Sequence, residues 1–281
     1  MNLDNLFDHL PYMAYAFRTL STEERLKLEH SLRVLQRAQR LNSVYFLGKL
    51  EGTDADYILA FGCTGRDIFK SRRLFYSQNL CDWFLLLEPK HWSDDWDRIR
   101  SPFRGDPAFN LQVDLGPEFT LDEDQVPIEG ERRRFIVKEQ DRLWFAVTKV
   151  LQEAAIVPRG VLYHSTEGDC VINPFFGGMN PDESIRMVNY QHFRKPINDV
   201  RENLLKREDC SYFVDVFDSA ADGAIPKEKN FVVTRDRERD VFVLKSLYWP
   251  GMNNFHRVNS SVFGFFYFGD GNKNWDLLFM L

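Results

Sequence analysis

The strongest constraint on the fold is an aromatic segment near the carboxyl terminus, residues 262–268, in which both faces of a strand would be apolar. Side chains alternate between the two faces of a strand, so Phe263, Phe265 and Tyr267 would share one face, opposite Phe266 and Phe268. A strand that is apolar on both faces must be covered on both. The segment is therefore predicted to be central in its sheet or to lie at a junction with a partner, and core and interface both stay open.

Other short β-branched and aromatic runs predict further strands, arranged as hairpins. The predicted strands are residues 44–50, 57–62, 74–76, 83–87, 161–164, 170–172, 231–234 and 241–247. Helical spacing occurs separately, in residues 3–10, in a helix opened by a capping box of Ser21 and Glu24, and in residues 138–154. Because hairpins and helices do not alternate, the predicted class is α+β, a mostly antiparallel sheet built from hairpins with segregated packed helices.

Residues 102–130 differ from the rest of the chain, since they contain four prolines and an acidic cluster at 122–124. This composition predicts a long loop or linker. Asn180 followed by Pro181 predicts a helix start, with a helix reaching about residue 190, and another helix is expected near residues 200–206. We expect residues 1–281 to form a single unit, with an internal loop or sub-boundary near 102–130.

The charge and cysteine content argue against several classes of function. The net charge is −6, so no global positive field would attract nucleic acid or anionic lipid. The start of the chain lacks the pattern of a secretory signal, and no apolar run of about 18 residues occurs, so we expect a soluble, intracellular protein. The four cysteines match neither a zinc motif nor a disulfide framework. No cofactor is predicted.

One segment resembles a calcium-binding loop in part, since Asp270, Asn272 and Asn274 occupy the first three ligand positions. Trp275 stands where the loop needs glycine, and Leu281 stands where it needs a bidentate glutamate. A turn is therefore favoured over a calcium site.

Other candidate chemistry is equally weak. Asp94, Asp95 and Asp97 follow Ser93, a pattern that favours the first turn of a helix over a sugar or nucleotide site. The histidines lack the i, i+4 spacing of zinc enzymes, and no nucleophile elbow or phosphate-binding loop occurs. We predict no catalytic, cofactor-binding or metal-binding residues. The alternative is a cytosolic enzyme whose site is assembled from distant residues.

Several motifs, in this order, resemble those of radial spoke head proteins. They are Gly105–Asp106–Pro107, Pro158–Arg159–Gly160, the segment SLYWPG at 246–251, the segment YFGDGNKN at 267–274, and the ending Phe279, Met280 and Leu281. Each tripeptide alone is weak, but their order along nearly the whole chain is specific. The chain thus resembles the radial spoke head family.

This resemblance implies a non-catalytic subunit of the axonemal radial spoke head in motile cilia and flagella. Its implied partners are other spoke head subunits, especially the 4/6 type, and indirectly the central pair apparatus, with mechanical signals passing toward the dynein arms. A general adaptor outside cilia is a further alternative. From the residues themselves, the candidate partner interface or structural anchors are Trp249, Pro250, Gly251, Phe263, Phe265, Tyr267 and Trp275.

Overall fold

A computed structural model describes residues 1–121, 127–197, 216–221 and 230–280. The strands in chain order are β1 Ser43–Leu50, β2 Tyr57–Cys63, β3 Arg72–Ser77, β4 Phe84–Leu86, β5 Asn110–Leu121, β6 Pro127–Lys138, β7 Ile156–Pro158, β8 Leu162–His164, β9 Cys170–Ile172, β10 Tyr190–His192, β11 Phe231–Asp236, β12 Val241–Ser246, β13 Met252–Arg257 and β14 Phe263–Gly269. The α-helices are α1 Leu6–His9, α2 Thr22–Ala38, α3 Glu139–Glu153, α4 Pro181–Ser184 and α5 Leu277–Met280. Short 3-10 helices lie at Leu3–Asn5, Leu10–Ala16, Asp94–Arg98 and Met187–Asn189.

The core of the fold is an eight-stranded sheet in the order β11-β12-β13-β14-β1-β2-β3-β4. Neighbouring strands are antiparallel, except that β1 and β14 run parallel. Three two-stranded ribbons, β5-β6, β7-β10 and β8-β9, lie outside this sheet. The predicted α+β class, with a mostly antiparallel sheet and separate helices, is confirmed.

Strand β14 lies in the interior of the sheet, between β13 and β1. Phe265 and Tyr267 belong to the apolar cluster on one face, together with Leu143 and Val147 of α3. Phe266 belongs to the cluster on the opposite face. The prediction that this strand is central and covered on both faces is confirmed.

The amino-terminal helices cover one face of the sheet. Helix α2 begins after the predicted capping box, in which Ser21 Oγ accepts from the Glu24 backbone N–H and the Glu24 carboxylate accepts from the Ser21 N–H. Its residues Leu28, Leu32 and Leu35 are buried against the sheet, whereas Ala38 is exposed. Helix α3 packs on the other face, so the sheet is the middle one of three layers.

The long loop predicted for residues 102–130 is wrong from Asn110 to Leu121 and from Pro127 onward, where β5 and β6 form a ribbon. Pro117 and Pro127 are the reason for the wrong prediction, because proline is uncommon in the interior of a sheet. Pro117 lies where the register of the ribbon shifts, and each strand of a two-stranded ribbon has a free edge that needs no proline N–H. Whether a sub-boundary lies in this region stays a prediction.

The helix predicted from Pro181 to about residue 190 is too long. Helix α4 ends at Ser184, and after a 3-10 turn the chain enters β10 at Tyr190, which pairs with Pro158 of β7. The Tyr190 hydroxyl donates to the Ser184 carbonyl at 2.9 Å, so a tertiary contact replaces further helical turns. The helix expected at 200–206 lies outside the described residues.

Candidate functional site

Three of the motifs that carry the family resemblance, those around Gly105, Gly251 and Asp270, meet at one end of the sheet, whereas Gly160 lies beside Phe176, which contacts the start of β14 at Phe263. The segment that follows β14, residues 270–274, forms the predicted turn. The Asp270 carboxylate accepts from the backbone N–H of Asn272 at 3.1 Å and from its side-chain amide at 3.0 Å. Gly271 has φ +75°, and its N–H donates to the Tyr267 hydroxyl at 2.8 Å. The Asp270 side chain thus stabilises a turn through hydrogen bonds to Asn272. Among the described residues, no group of three or more His, Cys, Asp or Glu side chains is placed to hold a metal ion.

Lys273 contacts charged and aromatic side chains from several segments at this end of the sheet. Its ammonium lies 2.8 Å from a Glu153 carboxylate oxygen and 3.8 Å from an Asp97 oxygen, and its side chain is only 13% exposed. The ammonium also lies 4.9 to 5.9 Å from the ring centroids of three aromatic residues. We call this group the Lys273 cluster: Lys273, Asp97, Glu153, Tyr248, Trp249 and Trp275.

The cluster joins four parts of the chain that are distant in sequence. Trp249 Nε1 donates to the Glu153 carboxylate at 2.9 Å, and Trp275 Nε1 donates to the Asp97 carbonyl at 3.0 Å. Burial raises the pKa of Asp97, and the charge of Lys273 opposes that rise. Lys273 thus pairs with both carboxylates, which is the arrangement of a structural clamp, while Asp97 Oδ1 is buried with no hydrogen-bond partner among the described residues.

The Trp249–Pro250–Gly251 turn, one of the predicted anchors, packs against the end of β14. Trp249 is buried, whereas Pro250 is exposed. Gly251 has φ +95°, and a Cβ there would lie 2.0 Å from the carbonyl oxygen of Phe268. The Gly251 carbonyl accepts from the Phe268 N–H at 2.9 Å. Glycine is thus required both by the backbone conformation and by the close approach of β14.

The first turn of α3 binds the backbone of a second motif of the family resemblance, Gly105–Asp106–Pro107. The buried Glu139 carboxylate accepts from the backbone N–H groups of Arg104, Gly105 and Asp106 at 2.7 to 3.1 Å, and from the Tyr57 hydroxyl at 2.7 Å. Burial, helped by this carboxylate, raises the pKa of Tyr57, so the phenol remains a donor. Glu139 therefore fixes the chain around Gly105 to the sheet.

One helical turn later, Arg142 connects this region to the carboxyl-terminal turn. Its guanidinium donates to the carbonyls of Ile99 and Ser101 and to Asn272 Oδ1, at 2.6 to 3.3 Å, and lies 4.1 Å from the Phe103 ring centroid. Burial lowers its pKa to about 10, so it remains charged at neutral pH. Sequence analysis missed both Glu139 and Arg142, because charged residues at a helix start usually face solvent.

The acidic run at Asp94, Asp95 and Asp97 forms the predicted capped turn, in a 3-10 helix. Each acid pairs with a base from another element: Asp94 with Lys149 at 2.7 Å, Asp95 with Arg133 at 2.9 Å, and Asp97 with Lys273. These ion pairs attach the 3-10 helix to α3, to β6 and to the carboxyl-terminal turn.

The predicted anchors divide into buried and accessible residues. Phe265 is stacked on Phe61 at 6.1 Å and contacts Phe193 at 5.0 Å, and both Phe265 and Tyr267 are almost fully buried. Phe263 is half-buried and Trp275 is 40% exposed. Phe265 and Tyr267 thus contribute to the core of the isolated chain, and a partner could contact Phe263 and Trp275.

Several buried histidines and cysteines among the described residues are held in their neutral forms. Burial lowers the pKa of His9, His192 and His256 to about 4 in each case, which leaves them neutral. Burial also raises the pKa of the free thiols of Cys63 and Cys170 to about 11, so neither is a thiolate at neutral pH. Cys210 lies outside the described residues.

None of the helices in the described part of the chain combines the length and apolar character needed to cross a lipid bilayer.

Comparison with known proteins identifies the family. The model of the family described as radial spokehead-like protein matches residues 1–64. The radial spoke head protein 9 homolog of Danio rerio is 32% identical over 284 residues, and that of Homo sapiens is 31% identical over 287 residues, each covering 100% of both chains. The homolog of Xenopus tropicalis is 30% identical over 93% of both chains. The chain therefore belongs to the radial spoke head protein 9 family.

Proposed function

We propose that this chain is a non-catalytic structural subunit of the radial spoke head in the axoneme of motile cilia and flagella. The observation that carries the proposal is the end-to-end similarity to radial spoke head protein 9 homologs, at 31 to 32% identity over the whole of both chains. Because the similarity covers the whole of both chains, the proposal applies to the full length of this chain.

The internal use of charged side chains supports a structural rather than a catalytic role. Lys273 pairs with both Asp97 and Glu153, and the Glu139 carboxylate is occupied by four donors. An active site instead needs titratable groups that are free to meet a substrate. The alternative, an enzyme with a site assembled from distant residues, requires turnover by the purified protein.

We further propose that the subunit helps to transmit mechanical signals between the central pair and the dynein arms, and that it binds the 4/6 type of spoke head subunit. A mechanical part must keep its shape under load. The three-layer core and the clamps formed by Lys273, Glu139 and Arg142 are suited to this, because they tie the segment that follows β4 and the turn that follows β14 to α3.

The anchors have separate roles in this proposal. Trp249, Gly251, Phe265 and Tyr267 maintain the fold, whereas the more accessible Pro250, Phe263 and Trp275 are available to a partner. We also propose that residues 1–281 act as one unit. A single calorimetric unfolding transition is expected, and two separated transitions would argue for a sub-boundary.

Localisation tests the proposal. A tagged copy expressed in ciliated cells should decorate motile axonemes along their length and should be lost when the spoke heads are extracted. Uniform cytosolic signal, or axonemal signal that survives removal of the heads, would contradict it. A tagged variant carrying Phe175→Asp, an exposed position, is a control for effects of surface mutation.

A further inference from the structure

The outer edge of β4 is open and apolar. This strand pairs with β3 on one side, and no described residue forms a backbone hydrogen bond with its other side. Phe84 is 54% exposed, Leu85 is 36% exposed, and the following Leu87 is 63% exposed. Natural edge strands usually carry lysine, proline or a bulge that prevents pairing with another chain. Here the three residues of the strand are Phe84, Leu85 and Leu86.

A cleft of about 580 Å³ adjoins this edge, between the end of the sheet and α3. Its apolar lining includes Leu74, Leu85 and Leu87 and the side of Trp144. The edge and the cleft together offer main-chain hydrogen bonds and pockets for alternate side chains, which is how a sheet receives an added strand.

The charges in the cleft indicate what kind of strand would fit. Two arginines, Arg72 and Arg73, line it against one glutamate, Glu88. Arg72 Nη1 is buried and has no hydrogen-bond acceptor among the described residues. Its guanidinium is instead surrounded by the rings of Phe61, Phe69 and Phe193, at 5.4 to 6.0 Å from their centroids.

Among the described residues, no carboxylate accepts a hydrogen bond from Arg72 Nη1. The nearby Asp67 accepts from the backbone N–H groups of Phe69, Lys70 and Cys170, at 2.7 to 3.0 Å. A buried guanidinium without an acceptor is costly, and a carboxylate is the group that best fits its planar donors.

We propose that the free edge of β4 receives an extended, acidic segment of another radial spoke head subunit, which pairs with the strand and places a carboxylate on Arg72. This inference rests on the proposed function, because it takes the occupant from the same assembly. The apolar side chains of the segment would fill the cleft, and its acidic side chain would select it over neutral strands.

Site-specific photo-crosslinking in assembled spoke heads tests the proposal. A photo-reactive amino acid is placed at Leu87, and in a matched control at Leu26 of α2, which is 58% exposed. We expect Leu87 to crosslink to one segment of another subunit that carries an Asp or Glu near the crosslink, and Leu26 not to reach that segment. No crosslink at Leu87, a crosslink to a second copy of this chain, or a crosslink to a segment without acids would each overturn the inference.

A charge reversal provides a second test. Arg73→Glu should reduce recovery of the partner with the purified full chain by about tenfold at low salt, with the melting temperature unchanged. Arg237→Glu, at an exposed turn on the opposite edge of the sheet, should leave recovery unchanged. Equal recovery with Arg73→Glu would overturn the role of the arginines. Absence of the wild-type chain from spoke heads would instead overturn the proposed function itself.

Discussion

At the scale of single residues, a few side chains and glycines hold the carboxyl-terminal end of the sheet together. Gly251 and Glu139 are the sharpest cases, because each makes contacts that one substitution removes or blocks. Gly251 is the last residue of one motif that carries the family resemblance, and Glu139 accepts hydrogen bonds from the backbone of another, at Gly105 and Asp106. Packing and hydrogen bonding thus explain why glycine stands at 251 and glutamate at 139. The two positions can be tested separately.

Gly251→Ala should destabilise the protein by at least ~2 kcal/mol, since a left-handed backbone costs ~1–2 kcal/mol for a residue with a side chain and the new methyl would meet the Phe268 carbonyl. Urea unfolding measures the change. Gly177→Ala is the control, because a Cβ there meets nothing within 4 Å. Equal stability of the two variants would contradict this account of the turn.

Glu139→Ala should lower the free energy of unfolding by about 3 kcal/mol, because three backbone N–H groups and the Tyr57 hydroxyl lose their acceptor. Asp141→Ala removes an acid from the same first helical turn without removing a described hydrogen bond, and we expect a change below about 1 kcal/mol. Thermal unfolding of the two variants measures the difference in their stability. The assignment fails if Asp141→Ala is the more damaging variant.

At the scale of elements, sequence patterns predicted those strands whose residues have high β propensity. The hairpins β1-β2 and β11-β12 and the aromatic β14 are such cases. Strand β13 was missed, because Asn253 and Asn254 are poor strand formers. The structure buries Asn254 with its amide donating to the carbonyls of Ala154 and Leu244, and its oxygen accepting from the Ile156 N–H. Hydrogen bonds between a polar side chain and residues distant in the sequence cannot be predicted from the local sequence.

The candidate site was predictable only in part, for a similar reason. The aromatic residues of β14 and the Trp249 turn stand out by composition. The Lys273 cluster and the cleft beside β4 are each formed by residues from distant segments, so no spacing in the sequence indicates them. The edge position of β4 also depends on the order of strands in the sheet, which local patterns do not contain.

Phe265→Asp tests the role of β14 as a core element. It should cost more than about 4 kcal/mol and prevent folding, because it removes a buried ring and buries a charge. Loss of partner binding by this variant would therefore report on folding. Phe175→Asp, at a side chain that is 92% exposed, should change stability by less than about 0.5 kcal/mol. A folded, soluble Phe265→Asp variant by circular dichroism would contradict the assignment.

At the scale of the whole molecule, buried neutral histidines make stability depend on pH. The folded state lowers the pKa of His192 and of His256 to about 4, whereas the unfolded chain protonates them near pH ~6.5. Because the unfolded state then binds more protons, stability is full above pH ~6.5 and falls as pH drops toward 4, by up to ~1.4 kcal/mol per pH unit for each histidine.

Urea midpoints between pH 7.5 and 4.5 measure this dependence. His256→Gln should flatten the slope, even where it lowers stability at every pH. His164→Gln replaces an exposed histidine and should leave the slope unchanged. An unaltered slope in His256→Gln would show that this histidine does not couple folding to protons.

The central claim is that this chain is a building block of the radial spoke head. Cryo-electron tomography of axonemes from ciliated cells that lack the chain tests it most directly, with cells restored by the wild-type chain as the control. The account predicts that density is missing from the head of each spoke while the stalk remains, and that the restored cells regain it. Intact spoke heads in cells without the chain would contradict the account.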